Sequence, residues 1–474
     1  MDIQQSSFPF QVFRAYDIRG KVTLLTPELV QAVALGLAVQ IKNTGSTRVV
    51  IGYDARLSSP AYADLIMQVL QQQGLSPTLM GCCSSPMLYY IARQFDGNGI
   101  MVTASHNAKS DNGIKWILGG EPPTPDKIQQ VAAHASNYFL AHRQQPVAEQ
   151  PHQIYPEFCL QYQQALLDDI QLQRHFKVVL DGLHGSAGRC AALVLQKLGC
   201  ELITIRCEAN GHFPDHAPDP SQEKHLSKLK QAVQQHQADL GIALDGDGDR
   251  LVLVDEQAKV IGADRLLALF AEMCLQQHPQ HEVVFDVKCS TMVRNTVRAL
   301  GGHPVMIRTG STFLRQYLAQ SKGLAVFGGE YAGHYVFNDG RGFGYDDGLY
   351  AALRVMEYLS QGPRRSLSEL LAKYPERCCT EDTYISTHNI ASAHVLHELE
   401  TLSQPLAAQL SKIDGVRLDF EDGFGIIRAS NTGEYFTVRF DADNPARLAD
   451  IRHTFVSMLS NRYPQIAQDI LDAQ

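Results

Sequence analysis

One arrangement occurs three times in this chain and limits what it can fold into. A β-branched run leads into a polar loop in "RVVIGYDAR", "KVVLDGLHG" and "EVVFDVKCS", placing Asp54, Asp181 and Asp286 at the run ends. A stretch with helical spacing follows, as in "SPAYADLIMQVLQQQG" and "AGRCAALVLQKLG". Then comes a second apolar strand ("LSPTLMG", "CELITIR", "HPVMIRTG") and a third ("NGIMVTA", "DLGIALD", "GLAVFGG"). Strands alternating with helices predict parallel α/β domains, and three such cycles predict a repeated domain. From about Cys378 the texture changes. "GVRLDFEDGFGIIRASNTGEYFTVRFDA" reads as antiparallel strands flanked by helical stretches, a smaller α+β domain. A chain of 474 residues exceeds one ordinary core. The segments expected are 1–152, 153–259, 260–373 and 374–474.

Charge narrows the function classes. A net charge of -9 argues against nonspecific nucleic-acid binding, which needs a basic surface to displace counterions. A small anionic substrate stays open, because a few residues set the field of a site. The ten cysteines have no CxxC or finger spacing, though Cys82–Cys83 and Cys378–Cys379 are adjacent. They read as buried thiols in a reducing compartment. The start "MDIQQSSFPF" has neither a basic n-region nor an apolar h-region, and no apolar run reaches the ~18 residues of a membrane span. A cytoplasmic protein with no membrane or nucleic-acid partner is expected.

The third strand of each cycle ends in a distinctive loop: "TASHN", "DGDGDR" and "GGEYAGH". Ligands of open α/β sheets bind beyond the carboxyl ends of the strands, so one site between three domains would collect all three loops. Asp245, Asp247 and Asp249 alternate with Gly246 and Gly248. Glycine lets the backbone curl until three carboxylates face one hard cation, and without a cation they repel. An acidic hairpin turn is the bland alternative. A calcium EF-hand is disfavoured, because Arg250 stands where that loop needs glycine and "LVLV" continues as a strand.

Ser105 follows an apolar run, with no GxSxG elbow and no P-loop in the chain. His106 is adjacent to it in sequence, which does not by itself make it the serine's base. A serine facing a divalent cation is a good phosphoryl carrier. Phosphate would need cations: Arg19 in "FRAYDIRG", Lys115, Arg250, Lys288, Arg308 and the loop "RASNT" from Arg428 to Thr432. Arginine offers phosphate a planar fork, and Ser430, Asn431, Thr432 and backbone N–H groups can complete a cradle. Glu330 and His334 could hydrogen-bond sugar hydroxyls. Taken singly, each of these basic residues is more often a solvated surface charge, and Glu330 and His334 are more often surface as well.

Taken in order, "FRAYDIRG", "TASHNAKSDNGIK", "NGHFPDHAPDPS", "DGDGDR", "DVKCS", "GGEYAGH", "DDGLYAALRVMEYL" and "RASNT" resemble the α-D-phosphohexomutase superfamily. The nearest likeness is to its bacterial phosphomannomutase/phosphoglucomutase group, over essentially the whole chain. The resemblance implies an α/β fold of three similar mixed α/β domains plus a smaller α+β C-terminal domain around a central cleft. It implies that Ser105 is the phosphorylated catalytic serine. Asp245, Asp247 and Asp249 would hold Mg²⁺, with Ser105 supplying a further oxygen, and Lys115 would transfer a proton nearby. Glu330, Tyr331, Ala332, Gly333 and His334 would form the sugar loop. Arg428, Ala429, Ser430, Asn431 and Thr432 would grip the phosphate that is not reacting. Tyr16, Arg19, Arg250, Lys288, Arg308 and Ser311 would line the substrate site.

The implied reaction is reversible interconversion of hexose 1-phosphate and hexose 6-phosphate, of mannose, glucose or both. It runs through a phosphoserine and a hexose 1,6-bisphosphate. Glucose 1,6-bisphosphate or mannose 1,6-bisphosphate would be the activator. A monomer is expected, with a dimer left open. Three residues depart from the family pattern: Ala108 replaces a proline, Ala332 a serine and Ser311 a histidine. The last two lie where the hexose should bind. The alternatives are a sugar-phosphate-binding relative with weak catalysis, a phosphatase, and a phosphoglucosamine mutase. The last is disfavoured because Asn431 stands where that group has glycine.

Overall fold

The computed structural model describes residues 8–141, 155–430 and 433–473. They group into two compact units. One holds the chain as far as Ile261 with Ala332–Phe337 and Arg341–Leu370, and the other holds Gly262–Tyr331, Asn338–Gly340 and Leu371–Gln474. No helix among the described residues is long and apolar enough to cross a membrane.

In the first unit, β1 (Ile18–Lys21), α1 (Pro27–Asn43), β2 (Arg48–Tyr53), α2 (Ser59–Gln72), β3 (Ser76–Cys82), α3 (Ser85–Ala92), β4 (Gly99–Val102), β5 (Asp111–Ile117) and α4 (Pro125–Ala141) follow one another. The sheet order is β1-β5-β4-β2-β3. Helix α1 shows why the sequence folds this way. Thr26 caps it by accepting from Leu29 N, and Pro27 opens it. Leu29, Val33, Leu37 and Ile41, four apart, then bury one stripe against Val49, Ile51, Ile66, Trp116 and Val131. Each such side chain stabilises the fold by about 2 kcal/mol. A Cβ on Gly36 would lie 3.1 Å from Val131 Cγ1, so α1 and α4 approach closely there.

After α5 (Pro156–Asp169) the cycle repeats as β6 (Lys177–Asp181), α6 (Gly188–Lys197), β7 (Glu201–Ile205), α7 (Ser227–His236), β8 (Leu240–Leu244) and β9 (Leu251–Asp255), in the order β7-β6-β8-β9. The second unit opens with α8 (Ala263–Gln277), β10 (Glu282–Asp286), α9 (Thr291–Ala299), β11 (His303–Ile307), α10 (Ser311–Gln320) and β12 (Ala325–Gly329). The short strand β13 (Tyr335–Phe337) and helix α11 (Gly348–Ser360) belong to the first unit, and α12 (Leu367–Leu371) follows.

In every cycle the first strand lies between the other two and parallel to both: β2 between β3 and β4, β6 between β7 and β8, β10 between β11 and β12. The parallel strands follow the alternation in the sequence, and the first two sheets are mixed, as the resemblance implies, because β5 returns antiparallel to β4 and β9 antiparallel to β8. The serine loop and the aspartate loop are therefore the turns of two equivalent hairpins.

The C-terminal part contains β14 (Cys378–Cys379), β15 (Thr383–Ser386), α13 (Ser392–Ser403), β16 (Gln409–Ser411), β17 (Val416–Asp419), β18 (Gly423–Ala429), β19 (Tyr435–Ala442), α14 (Pro445–Leu459) and α15 (Pro464–Asp472). Its strands pair antiparallel in the order β14-β19-β18-β17-β16, with β15 also on β19. This is the α+β texture expected from the sequence.

Candidate active site

Strand β4 runs out at Val102, and the next residues are pinned rather than loose. Thr103 Oγ1 donates to Asp54 Oδ2 at 2.8 Å and accepts from Ser105 N at 2.8 Å. Ser105 sits at φ 51°, a left-handed conformation costly for a residue with a Cβ. What holds it there is Arg56. Its buried guanidinium donates to the carbonyls of Ser105, Asn107 and Ala108, each at 2.7 Å, and of Asp111 at 2.9 Å. Asp54 fixes Arg56 in turn through a 3.0 Å ion pair. Arg19, from β1, adds bonds to the Ala104 carbonyl at 3.3 Å and Asn107 Oδ1 at 3.2 Å, while pairing with Asp17 at 2.6 Å. Tyr16 is half-buried in the turn before β1.

The aspartate loop meets the serine loop directly. A Cβ on Gly246 would fall 2.4 Å from the Ser105 carbonyl, so only glycine fits between the hairpins. Ser105 Oγ donates to Asp245 Oδ2 at 2.6 Å and lies 3.3 Å from His106 Nδ1. Asp245 Oδ1 accepts from the backbone N–H groups of Gly248 and Arg250 at 3.0 and 3.2 Å. Lys115, on β5, donates to Asp247 Oδ2 at 2.9 Å and Asp249 Oδ2 at 2.8 Å. Ser85, at the start of α3, donates to Asp247 Oδ2 at 2.6 Å. Ser105 and the three aspartates are all essentially without solvent exposure.

Such packing of like charges sets the protonation pattern. Burial, then Asp249 and Asp247, pushes Asp245 well above the usual carboxylate range. Burial also acts upward on Asp249, but Lys115, His334 and Arg250 outweigh it and hold that carboxyl well below the range. Burial lowers Lys115, yet Asp247 and Asp249 carry it well above an ordinary lysine. Burial with Arg250 and Arg19 pushes His106 well below an ordinary histidine, so it is neutral.

Arg250, Ala332, Gly333 and His334 belong to the same unit. His334 Nε2 lies 3.3 Å from Asp249 Oδ1 and 3.3 Å from Arg250 Nε. It can donate to the first or accept from the second, so its tautomer selects one. Gly348, which opens α11, packs against the Arg250 carbonyl, with a built Cβ only 2.4 Å away.

In the second unit the remaining candidates lie at the carboxyl ends of β10, β11 and β12 and at the end of β18. Lys288 pairs with Asp382 and lies 5.7 Å from the Tyr331 ring. Glu330 accepts from Gly310 N, one residue before Ser311 opens α10. Arg428 Nε donates to Asp414 Oδ2 at 3.0 Å, which also accepts from Thr309 N at 3.2 Å. Arg308 is exposed, its guanidinium 4.4 Å over the Phe313 ring. Ala429 and Ser430 are half-buried, and Ser430 N donates to the Tyr435 carbonyl at 2.9 Å. Asn431 and Thr432 lie outside the described residues.

Comparison with known proteins decides the family. Four phosphoglucomutase/phosphomannomutase domain families match in order: α/β/α domain I over residues 10–141, domain II over 157–259, domain III over 262–378 and the C-terminal domain over 391–458. A phosphomannomutase/phosphoglucomutase of Pseudomonas syringae is 34% identical over 97% of this chain and 97% of its own. A phosphoglucomutase of Neisseria gonorrhoeae is 34% identical over 96% of this chain and 98% of its own. A phosphoglucomutase/phosphomannomutase family structure from Burkholderia thailandensis superposes with a TM-score of 0.87 at 31% identity, covering 96% of this chain and 98% of that one. The chain belongs to the phosphoglucomutase/phosphomannomutase family.

Membership of the phosphoglucomutase/phosphomannomutase family makes this a phosphotransferase mutase with a four-domain α/β architecture. Within the first unit the structure brings together Ser105, Lys115, the three aspartates, Arg19, Arg250 and His334. Sequence reasoning missed the groups that hold them. Arg56 and Asp54 lie in "GYDAR", which the sequence pattern reads only as the end of a strand. An Asp-x-Arg pair just after a buried strand is the signal available, because neither charge can be buried there alone. Ser85 carried no signal at all.

Proposed function

We propose that this mutase interconverts the 1- and 6-phosphates of mannose and glucose, with Ser105 as phosphoryl carrier. The observation that carries this reading is the 2.6 Å bond from Ser105 Oγ to Asp245 Oδ2, which sets a hydroxyl against a buried carboxylate cluster. That cluster fits Mg²⁺. Its three carboxylates offer hard oxygens within 4.8 Å of one another, and Asp247 Oδ1 accepts no hydrogen bond among the described residues. Asp245, Asp247 and Asp249 would hold the ion, which supplies neutralising charge to a transferring phosphoryl group.

The chain's own residues do the remaining work. Phosphorylated Ser105 gives its phosphoryl group to the free hydroxyl of a hexose phosphate, so the Oγ–P bond breaks as a sugar O–P bond forms. The resulting 1,6-bisphosphate turns end for end, and its other phosphate returns to Ser105. Lys115 Nζ is our candidate to exchange the Ser105 proton. We assign phosphate binding to Arg19, Arg250, Lys288 and Arg308, and the grip on the unreacting phosphate to Arg428 through Thr432. Tyr16, Ser311 and Glu330 through His334 would face the sugar. Catalysis is then mainly charge stabilisation and positioning.

Glucose or mannose 1,6-bisphosphate serves as activator by rephosphorylating Ser105. We keep the segments 1–152, 153–259, 260–373 and 374–474 as the domain boundaries, and place a monomer or dimer in the cytoplasm. Relatives named for both sugars, at 34% identity over nearly the full chain, support dual specificity. The test is phosphorus NMR with Mg²⁺, a trace of glucose 1,6-bisphosphate, and mannose 1-phosphate or glucose 1-phosphate in separate tubes. The 6-phosphate should appear from both. Inorganic phosphate alone would make the protein a phosphatase.

A further inference from the structure

Ser85 opens α3, where a serine is most simply explained as part of a helix cap. That duty is already filled, because Ser84 caps α3 by accepting from Met87 N at 3.3 Å. Ser85 turns instead to the aspartate loop and meets it twice. Its backbone N–H donates to the Asp247 carbonyl at 2.9 Å, and its Oγ donates to Asp247 Oδ2 at 2.6 Å. Both residues are fully buried.

Lys115 donates to the same Asp247 Oδ2 at 2.9 Å. A carboxylate oxygen has two lone pairs, so protein donors occupy Oδ2 completely. Asp247 Oδ1 is buried and accepts no hydrogen bond among the described residues. The neighbouring aspartates are divided in a similar way. Asp245 Oδ1 accepts from the N–H groups of Gly248 and Arg250 at 3.0 and 3.2 Å, while Oδ2 meets Ser105. Asp249 Oδ2 accepts from Lys115 at 2.8 Å. One ligand atom of each aspartate nevertheless lies within 4.8 Å of those of the other two.

Carboxylates divided like this discriminate between cations. Ca²⁺ takes roughly six to eight oxygens in flexible geometry and accepts carboxylates through both oxygens at once. Mg²⁺ is smaller and demands near-octahedral geometry, which the narrow bite of a chelating carboxylate does not match. We propose that Ser85 is a positioning residue which, with Lys115, confines Asp247 to one ligating oxygen and so selects Mg²⁺ over Ca²⁺. This inference rests on the reading of the cluster as a Mg²⁺ site, and Ser85 acts on the ion only through Asp247. Without its hydroxyl, Asp247 Oδ2 regains a lone pair, and the carboxylate can turn both oxygens to a larger cation.

The test reads cation binding without turnover. Full-length protein is mixed with Mn²⁺, the free ion is followed by electron paramagnetic resonance, and Mg²⁺ or Ca²⁺ is titrated in as competitor. In Ser85→Ala, Mg²⁺ affinity should fall about tenfold, while Ca²⁺ affinity changes by less than about threefold. Lys115→Met, which removes the other donor to Oδ2, should move the ratio of the two affinities in the same direction. Equal weakening of both cations in Ser85→Ala, or no change in either, would overturn the role of Ser85 and leave the Mg²⁺ site standing. Should Ser85→Ala fail to fold, an unchanged ratio in Lys115→Met would overturn it instead. Wild-type protein that binds none of the three cations would overturn the Mg²⁺ reading itself, and this inference with it.

Discussion

The hairpin loops of the first unit and the arginines Arg308 and Arg428 of the second hold their charges in different ways. Asp54, Arg56, Ser105 and the three aspartates are buried, and each is wired to several partners before any ligand is present. Arg56 alone serves four carbonyls of the serine loop. In the second unit Arg308 is exposed on an aromatic face, and Arg428 is half-buried beside Asp414. A buried charge must be paired within the fold, because leaving it alone costs several kcal/mol. A cation near the surface can exchange water or one carboxylate for a phosphate at little cost. The first arrangement suits a group that must stay in place while a bond is made. The second suits a grip that closes and lets go.

Substitutions can break this contrast, the largest effect first. Ser105→Ala should lower turnover at least about 10⁴-fold, since it removes the phosphoryl carrier, while calorimetry still detects hexose phosphate binding. Unchanged turnover would sink the assignment of Ser105. Arg56→Ala should lower kcat about a hundredfold with little change in KM. It should also destabilise the protein by about 3–5 kcal/mol in urea, because Asp54 is left buried without its partner. An Arg56→Ala protein that lost only stability would reduce Arg56 to a core residue.

A charge of the first unit that is not one of the three loop aspartates sharpens the point by pH. Burial, only partly offset by hydrogen bonds from Tyr162 and Tyr350 N, raises the Asp347 carboxyl to about 6. The folded state therefore binds this proton more tightly than the unfolded chain. Stability from this group is present below about pH 4 and is lost as pH rises through about 6. Over that window the loss is about 3 kcal/mol. Asp347→Asn keeps a good cap for α11 and should flatten this part of the urea-denaturation profile; a profile identical to wild type would contradict the assignment.

For the second unit, Arg428→Ala should raise KM about tenfold to a hundredfold, the cost of a charged hydrogen bond, with stability nearly unchanged. A large loss of stability there would erase the difference between the two regions. The smallest effect expected is from Ala332→Ser. One added hydroxyl contact should lower the sugar KM about threefold to tenfold, and no change would mean that this loop does not touch the sugar.

Much of this was legible from residues in order. The three cycles announced three like sheets, because strand and helix periods follow from local side-chain patterning. The loops "TASHN" and "DGDGDR" stood out as candidates for chemistry at equivalent strand ends, and the structure brings Ser105 and Asp245 together. Strand direction was less legible. Nothing in "DNGIKWI" distinguishes a strand returning antiparallel beside β4 from one continuing the parallel pattern, since both bury the same residues. Only hydrogen bonding between strands far apart in the chain selects the hairpin.

The same division applies to the site. The sequence by itself determined the inventory: which residue types stand at which strand ends, and hence the class of chemistry. Tertiary structure alone decided that Gly246 touches the Ser105 carbonyl, that Arg56 reaches across about 50 residues to brace that loop, and that Lys115 lies across Asp247 and Asp249. The reason is that patterning acts through neighbours within a helical turn or along a strand. The energy of a buried charge depends instead on whatever group the folded chain places a few ångströms away.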